Sequence, residues 1–298
     1  MRIDEKIAAS QTFSFEIFPP KGDLSQETAF QVASAIAQYG PDWISVTYSA
    51  GGTGRSENTI PIASSIEHNL GVTALAHLTC LGHSRADVDE YVGTLAEEGV
   101  ENVLALRGDR GPGREGGEFE HASDLIAYLR SQGSDLCIGA ACYPEGHVES
   151  ASPEESLENL YIKQESGADY LVTQLFFDNE SFYRFREQCL RYRIKLPIVA
   201  GIMPFSSVKQ IQRMAFTCGA SIPSKVIRRL VRAGDDPQDQ AKAGLEYACE
   251  QLSDLAANGV DGLHIYSMNH PETAAAAYEA LVACGYLTPV DTASTTQA

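Results

Sequence analysis

A glutamate interrupts an apolar segment close to the N-terminus. The segment FSFEIFPP (13–20) has the composition of a strand, and strand alternation places Ser14, Glu16 and Phe18 on one face, with apolar side chains on the other. Burial would raise the pKa of the Glu16 carboxyl and make it a proton donor near neutral pH. A structural glutamate paired with a buried cation or hydroxyl is an equally good interpretation of this residue alone.

Further polar residues stand at the ends of apolar segments. LALRGD ends in Arg107, Gly108 and Asp109, which would offer backbone amides and two opposite charges to a ligand. A surface ion pair that contributes little is the alternative. Gln174, in VTQLFFD, is costly to bury unless it bonds a ligand or a partner. These four residues are therefore candidates for binding.

The segment ACYPEGH contributes a third group. It contains Tyr143 and His147, and it is followed by Asn159 and Lys163, whose spacing puts both on one helical face. His77, in LAHLTC, is a further candidate. Taken singly, a solvated helix face and a core histidine are the more common outcomes for these residue types.

Thr47 and Tyr48 precede a glycine-rich stretch, SAGGTGRSEN (49–58). Such a stretch can form a lid or a phosphate-binding turn, although glycine-rich loops alone are weak evidence for either. The spacings HxH, HExxH and CxxC do not occur, so we expect no metal site. The sequence also lacks the GxSxG elbow of a serine hydrolase.

Eight strand-like apolar runs must position these residues. The runs are Thr12–Phe18, Trp43–Ser49, Thr73–Cys80, Asn102–Gly108, Leu136–Tyr143, Tyr170–Phe177, Pro197–Met203 and Gly262–Met268. Most are continuous in apolar residues, as expected when both faces of a parallel sheet are covered. A run about every 37 residues predicts an α/β fold, a single-domain (β/α)8 TIM barrel. An open doubly wound sheet is the alternative, but no run is followed by its usual GxGxxG or GxxxxGK[ST].

Amphipathic segments alternate with the runs. Five of them are Ser25–Gln38, Ser84–Glu98, Pro153–Ser166, Asn179–Arg191 and Ser206–Thr217. Gly40, Gly99 and Gly167 follow three of these segments as stop signals. The long connection before the eighth run adds Pro223–Ala233 and Pro237–Asn258, which we interpret as an extra helix and the ordinary crossover helix. We expect the catalytic barrel over residues 1–290 and a disordered tail over 291–298.

The charge balance limits the classes of partner. The 298 residues include 22 Lys+Arg and 40 Asp+Glu, a net charge of −18. This balance argues against binding of nucleic acid or of anionic lipid. No apolar stretch is long enough to span a bilayer, and the N-terminus has no signal-peptide pattern. Seven scattered cysteines fit a reducing compartment, so we expect a cytoplasmic protein.

In a barrel the polar strand ends meet at one face, where TIM-barrel enzymes carry their active sites. Closure makes the eighth run the neighbour of the first, so His264 is placed to hydrogen-bond Ser14 or Glu16. A satisfied core histidine is the more common alternative for His264 alone. The residues by themselves therefore predict a barrel enzyme with a polar, partly acidic mouth, and they do not name its reaction.

Taken together, eight segments resemble the flavin-dependent methylenetetrahydrofolate reductases. They are FSFEIFPPK (13–21), DWISVTYSAGG (42–52), AHLTC (76–80), NVLALRGD (102–109), AACYPEGH (140–147), GADYLVTQLFFD (167–178), PIVAGIMP (197–204) and GLHIYSMN (262–269). Their order is that of the family, and they cover nearly the whole chain. The length resembles the short bacterial type, without the regulatory domain of the long eukaryotic form.

The resemblance implies a barrel that holds FAD at its C-terminal face. NADH or NADPH would reduce the flavin and leave, and methylenetetrahydrofolate would then bind in the same place and take the hydride. Glu16 matches the family's general acid, and Asp109 matches the aspartate beside flavin and pterin. Gln174 and Gln210 match glutamines that contact substrate, and we group His264 with the substrate-binding residues. The matched flavin contacts are Thr47, Tyr48, His77, Arg107, Gly108, Asp109, Ala122, Tyr143, His147, Asn159 and Lys163.

Four positions depart from the family pattern. Ser156 and Ile162 stand where some members have Asp and Arg directed toward FAD. His270 stands where many members have an Arg near the folate, and His121 replaces a Tyr of some relatives. These departures bear on how the cofactor and the carboxylate end of the substrate would be held.

Two other functions are compatible with the sequence. One is a flavin subunit of a larger electron-transfer complex, in which a partner protein reduces the flavin. The other is a non-flavin barrel, such as a lyase or a binding protein. The choice between NADH and NADPH stays open, because there is no Rossmann fingerprint on which to place a 2′-phosphate-binding arginine. We further expect a homo-oligomer that acts on small molecules in one-carbon metabolism.

Overall fold

Eight parallel strands close into a barrel in the computed structural model, which describes residues 1–19, 26–48, 58–110 and 117–290. The strands follow one another in chain order, and the last pairs with the first. They are β1 (Thr12–Ile17), β2 (Trp43–Val46), β3 (Thr73–Thr79), β4 (Asn102–Leu106), β5 (Cys137–Cys142), β6 (Tyr170–Thr173), β7 (Ile198–Ile202) and β8 (Gly262–Tyr266). The predicted TIM barrel is therefore confirmed, and the open sheet is excluded.

Helices cover the outside of the barrel. In the described residues they are α1 (Ile3–Ala9), α2 (Gln26–Ala37), α3 (Thr59–Leu70), α4 (Arg85–Glu97), α5 (Ala122–Ser131), α6 (Pro153–Glu165), α7 (Asn179–Arg191), α8 (Val208–Cys218), α9 (Ser224–Ala233), α10 (Pro237–Ala257) and α11 (Pro271–Ala283). None of these helices is long and apolar enough to cross a bilayer. All seven cysteines lie in the described part of the chain and are free thiols.

The seven predicted helical segments are present at nearly their predicted bounds. Local signals set these bounds: the hydroxyl of Ser84 accepts from the backbone N–H of Asp87, whose carboxylate accepts from the N–H of Ser84. Gly40, Gly99 and Gly167 adopt φ values of 63°, 69° and 105°, which suit glycine at a helix end. The sequence analysis missed α1, α3, α5 and α11.

The apolar residues form two main layers, as strand alternation requires. Phe13, Phe15 and Ile17 of β1 point outward, into the layer shared by strands and helices. Inside the barrel, Trp43 and Tyr170 belong to a second apolar cluster, completed by Leu75, Leu104, Cys137, Val172 and Val199. Ile3 and Ile7 of α1 join this inner cluster. The short N-terminal helix therefore closes the end of the barrel opposite the strand C-termini.

The connection from β7 to β8 holds three helices, α8, α9 and α10. A separate apolar cluster holds α8 and α9, with Ile211, Val226 and Leu230 packed near Phe205 and Tyr247. The hydroxyl of Tyr247 also donates to the carbonyl of Phe177. The connection is therefore attached to the barrel rather than forming a second domain.

Three stretches with predictions attached lie outside the described residues. They are 20–25, most of the glycine-rich segment (49–57), and the tail (291–298). The proposed lid or phosphate turn, the disordered tail and the domain boundary at residue 290 therefore stay predictions.

Candidate active site

A cavity of about 380 Å³ opens at the C-terminal ends of the strands. Its lining includes eleven residues that the sequence singled out: Glu16, Thr47, Tyr48, His77, Arg107, Gly108, Asp109, Tyr143, His147, Gln174 and His264. They come from seven different strands or the loops after them, because parallel strands deliver their C-terminal ends to one face of the barrel. This face therefore gathers residues that are up to 248 positions apart in the sequence.

Glu16 lies near the C-terminal end of β1, with its side chain 20% exposed. Its Oε2 is 3.5 Å from Nε2 of His77 and 4.0 Å from Nε2 of His264. Burial raises the pKa of Glu16 to about 8 and lowers the pKa of each histidine to about 3. Near pH 7 the carboxyl is therefore protonated, and both imidazoles are neutral.

Two serines hold the ring of His264. Nδ1 lies 2.8 Å from the hydroxyl of Ser14, and Nε2 lies 3.3 Å from the hydroxyl of Ser45. The Ser14 hydroxyl donates to the carbonyl of Leu263, so we assign the ring proton to Nδ1, which donates to Ser14. The predicted contact between His264 and Ser14 is confirmed. The unprotonated Nε2 faces Ser45 and, at a longer distance, Glu16.

Side chains of the loop after β8 form hydrogen bonds with the backbone at the end of β1. The Ser267 hydroxyl donates to the carbonyl of Glu16 at 2.6 Å, and the Asn269 side chain bonds both the N–H and the carbonyl of Phe18, at 2.9 and 2.8 Å. Met268 and Asn269 adopt φ values of 54° and 58°, a left-handed conformation that is costly for residues other than glycine and asparagine. These side-chain bonds continue the β1–β8 ladder past the last strand residues, at Glu16 itself and two residues after it.

We expect Asn269→Ala to misplace Glu16 without unfolding the barrel. The alanine removes both bonds to Phe18 and disfavours the left-handed conformation, so the turnover that depends on Glu16 should fall about tenfold or more. Steady-state kinetics with a pH profile test this, because a displaced carboxyl shifts the alkaline limb of the profile. Asn269→Gly keeps the backbone conformation and separates the two causes. An unchanged rate and profile in both variants would contradict the role.

A second cavity of about 510 Å³ adjoins the first and shares Leu106, Arg107, Ala141, Tyr143 and His147 with it. It runs over the N-terminal end of α5 and along one face of α6. Ala122, Asn159 and Lys163 line this second cavity. All eleven residues matched to flavin contacts therefore line one or both of the adjoining cavities.

The second cavity is lined by three cations and three carboxylates, namely Arg107, Arg110, Lys163, Asp124, Glu149 and Glu155. The Lys163 ammonium donates to the carbonyl of Ala141 at 2.7 Å and lies 5.5 Å from the centre of the Tyr143 ring. Burial lowers the pKa of Lys163 to about 8. Arg107 forms a two-pronged ion pair with Glu149, at 2.5 and 2.9 Å. Arg107 and Lys163 are therefore cations at this junction, and the charge of Arg107 is balanced by Glu149.

The comparisons with known proteins decide the family. A profile described as methylenetetrahydrofolate reductase matches residues 2–282. The chain belongs to the methylenetetrahydrofolate reductase family. The 5,10-methylenetetrahydrofolate reductase of Pectobacterium carotovorum subsp. carotovorum is 35% identical over 260 residues, which cover 87% of this chain and 86% of that protein. The Escherichia coli (strain K12) protein of the same name is 33% identical over 259 residues, with the same coverage.

Longer family members match as well. "Methylenetetrahydrofolate reductase (NADH) 1" of Arabidopsis thaliana is 36% identical over 295 residues, and the chain spans 50% of its length. Among solved structures, an uncharacterized protein from Clostridium thermocellum that binds two copies of 5-methyl-5,6,7,8-tetrahydrofolic acid has a TM-score of 0.66 at 15% identity, covering 96% of this chain and all of that one. At that identity the likeness supports the fold alone.

Gln210, which the resemblance assigns to substrate binding, lines neither cavity. It sits in the first turn of α8, where its Oε1 accepts from the backbone N–H of Ser206 at 2.5 Å. Met214, one turn further along α8, lines the first cavity instead. In this conformation the Gln210 side chain therefore bonds Ser206, the residue before the N-cap Ser207, rather than facing the cavity.

The departures from the family pattern lie at the edge of the site. The Ser156 hydroxyl accepts from the backbone N–H of His147 at 3.2 Å, and Ile162 is 49% exposed beside the second cavity. His121 immediately precedes α5 and also lines the second cavity. His270, which precedes α11, is exposed, and its Nδ1 lies 3.1 Å from Glu272. None of the four lines the first cavity.

The sequence analysis missed several residues that line the first cavity. Thr79 and Tyr266 lie two positions after His77 and His264, so strand alternation alone would have placed them on the same inward face. The Tyr266 hydroxyl donates to the carbonyl of Thr173 at 2.6 Å. Met203 and Met268 also line the cavity, and no sequence signal distinguished them from core residues.

The described residues contain one group with the spacing of metal ligands, formed by Asp4, Cys137 and Asp169. It lies at the opposite, N-terminal end of the strands. Arg2 contacts both carboxylates, and Arg130 lies 2.6 Å from Asp169. Because these guanidinium groups already supply the positive charge, the cluster functions as an ion-pair network beneath the barrel.

Proposed function

We propose that this chain reduces 5,10-methylenetetrahydrofolate to 5-methyltetrahydrofolate, with FAD as the hydride carrier and NADH or NADPH as the hydride source. Membership in the family supports the reaction class. The observation that carries the proposal is Glu16, a carboxyl kept protonated near neutral pH in a polar cavity at the C-terminal face of the barrel.

The residues of the two cavities fit a flavin dinucleotide. Two buried polar atoms that line the first cavity, Thr47 Oγ1 and Thr79 Oγ1, have no hydrogen-bond partner within the described part of the chain. Such atoms are costly to leave unsatisfied, so they favour a polar ligand. Arg107 and Lys163 would supply positive charge to the diphosphate, and Arg107 would first have to release Glu149. When bound, FAD would supply two-electron chemistry that no amino-acid side chain provides.

Glu16 would act on the substrate rather than on the cofactor. Its proton passes to a nitrogen of the five-membered ring of methylenetetrahydrofolate, and the ring opens at the bond between that nitrogen and the methylene carbon. The carbon becomes an electrophilic iminium and accepts the hydride to form the methyl group. A neutral acid whose pKa is close to the working pH suits this step. His77 and His264, both neutral, leave the Glu16 proton available for transfer.

Other residues would bind and orient the pterin. The side-chain oxygen of Gln174, Oε1, accepts from the backbone N–H of Leu175 at 2.8 Å. The side-chain NH2 group of Gln174 therefore remains as a donor toward the cavity. Asp109, at the cavity rim, would hold the pterin through its carboxylate and influence the flavin potential through its charge. For Gln210 to contact substrate, it must first release the N–H of Ser206.

Separate measurement of the two half-reactions tests the proposal. Purified protein loaded with FAD should be yellow, and NADH or NADPH alone should bleach the flavin under anaerobic conditions. The reduced protein should then be reoxidised by methylenetetrahydrofolate, with formation of 5-methyltetrahydrofolate. Failure to bind FAD would refute the proposal. Slow bleaching by both nucleotides, with rapid reoxidation by the folate, would instead support the electron-transfer subunit and its partner protein.

A further inference from the structure

The basic residues of this acidic chain are unevenly distributed. Residues 206–234 contain six Lys+Arg and no Asp or Glu, although the whole chain has a net charge of −18. The remaining residues therefore carry −24. The segment comprises α8 and α9, the two helices that precede the crossover helix α10. A charge contrast of this size within one chain favours contact between unlike surfaces.

The same segment exposes apolar side chains. Phe216 is 92% exposed, Val231 74%, Ile227 49% and Val208 37%. In the described residues only five other large apolar side chains are comparably exposed, spread over the rest of the chain. On α9, Ile227 and Val231 are four residues apart and so lie on one face, with the exposed Arg228 and Arg232 beside them. The outward face of α9 is thus an apolar strip with a basic edge.

A complementary surface lies between α10 and α11. The groove there is lined by the apolar side chains of Leu245, Ala276 and Ala280, and by the carboxylates of Glu246, Glu250 and Glu279, with Lys242 as its single cation. Its volume is about 630 Å³. The pKa of the Cys249 thiol in this groove is raised to about 11 by burial and then by the three carboxylates. The groove therefore combines an apolar floor with a negative field.

We propose that the outward face of α9 docks in the α10–α11 groove of a second copy of this chain. Within one chain α9 lies beside α10, where Arg229 pairs with Glu250 at 2.7 Å. The donor face and the receiving groove are therefore neighbours on one surface. A two-fold axis near α10 lets each copy insert one α9 and receive one, so that every contact is made twice.

The charges select this partner over a membrane. An anionic bilayer would attract α9 but would repel the rest of the chain, which carries −24. In the two-fold pairing Ile227 and Val231 cover Leu245, Ala276 and Ala280, and Arg228 and Arg232 meet Glu246 and Glu279. Aliphatic centres with charged edges are typical of specific protein interfaces.

Charge reversal with rescue tests the pairing. The protein loaded with FAD is followed by sedimentation velocity over a concentration series, at low and physiological salt. The native chain should dimerise. The double variants Arg228→Glu/Arg232→Glu and Glu246→Arg/Glu279→Arg should each raise the dimer Kd about tenfold or more, which corresponds to at least about 1.4 kcal/mol. The quadruple variant, which restores opposite charges across the interface, should return the Kd toward the native value.

Control variants keep the result specific. Leu190→Asp and Arg191→Glu change comparably exposed residues on α7, outside both surfaces, and should leave the Kd unchanged. Ile227→Ser/Val231→Ser removes the apolar strip with little effect on folding, which thermal unfolding verifies, and should also raise the Kd. A native chain that is monomeric throughout, a dimer that survives both charge reversals, or α9-dependent binding to anionic vesicles without self-association would overturn the proposal.

Discussion

Glu16→Gln should abolish folate reduction while sparing flavin reduction by the nicotinamide. Glutamine keeps the size and the polar contacts of glutamate, but it has no transferable proton. Loss of a general acid lowers a rate by about 100- to 10,000-fold, so the folate half-reaction should fall by that factor. The nicotinamide half-reaction needs no proton from Glu16 and should change less than about threefold. Anaerobic stopped-flow measurement of flavin absorbance follows both.

The pH dependence of the native protein should identify the same group. The pKa of Glu16 is raised to about 8, so the carboxyl is protonated, and active as an acid, below that pH. The folate half-reaction should therefore be level up to about pH 8 and fall about tenfold per pH unit above it. Glu16→Gln should lack this limb.

The stability of the native protein should also depend on the protonation of Glu16, and this contribution should decrease as pH rises. The folded state holds the Glu16 proton up to about pH 8, whereas the unfolded chain releases it near 4.5. Between these values the unfolded state binds fewer protons at this site, so Glu16 lowers native stability as pH rises. Glu16→Gln should therefore gain stability relative to the native protein across this window. Glu118→Gln, at an exposed carboxylate outside both cavities, serves as the control. A Glu16→Gln variant that is no more stable than the native protein between pH 4.5 and about 8 would contradict the raised pKa. In the kinetic experiment, equal loss of both half-reactions in Glu16→Gln would contradict its role as the acid.

Gly244→Ala should be among the most destabilising single-methyl additions in the described chain. Gly244 is buried in α10, and a Cβ there would overlap the backbone carbonyl of Phe205. Alanine is preferred over glycine in a helix by about 1 kcal/mol, but backbone atoms cannot move aside as a flexible side chain can. Overpacking costs about 1–3 kcal/mol or more, so we expect a net loss of stability in urea unfolding.

Gly93→Ala is the matched control for this effect. Gly93 lies in the interior of α4, is exposed, and has no atom within 4 Å of the position that a Cβ would occupy. The same substitution should there stabilise the protein by about 0.5–1 kcal/mol. Opposite signs in the two helices would show that the approach of α10 to Phe205, and not helix propensity, decides the outcome at position 244. A neutral or stabilising Gly244→Ala would contradict this packing.

The effect at Gly244 should extend to the site. Phe205 follows Met203, which lines the first cavity, and both belong to the cluster that holds α8 and α9. A shift of the Phe205 backbone should therefore weaken substrate binding as well as stability. We expect a higher KM for the folate in Gly244→Ala, measured at a temperature where the variant is fully folded, and an unchanged KM in Gly93→Ala.

Much of the fold could be predicted because its signals are local. Continuous apolar runs mark buried parallel strands, and capping residues such as Ser84 and stop signals such as Gly99 mark helix ends within a residue or two. Some of the missed helices carry such signals too, Gly71 after the end of α3 and Pro271 at the start of α11, and the sequence analysis did not use them. The helix α1 is only seven residues long and is stabilised by packing in the barrel and by Asn102, whose side chain accepts from the N–H of Ile3. A contact 99 positions away has no local signature.

The sequence by itself determined the barrel, the gathering of Glu16, His77, Gln174 and His264 at one end, and membership in a family. The barrel and the gathering follow from strand alternation and from the rule that parallel strands end on one face, whereas the family follows from the ordered segments and the matching profile. Only the tertiary structure decided the protonation of Glu16, because its pKa depends on how far protein atoms exclude water around it. It also decided that Gln210 bonds Ser206 instead of facing the cavity, and that the basic helix α9 lies beside an acidic groove between α10 and α11. Charge is summed along a chain, but it acts through distances that only folding sets.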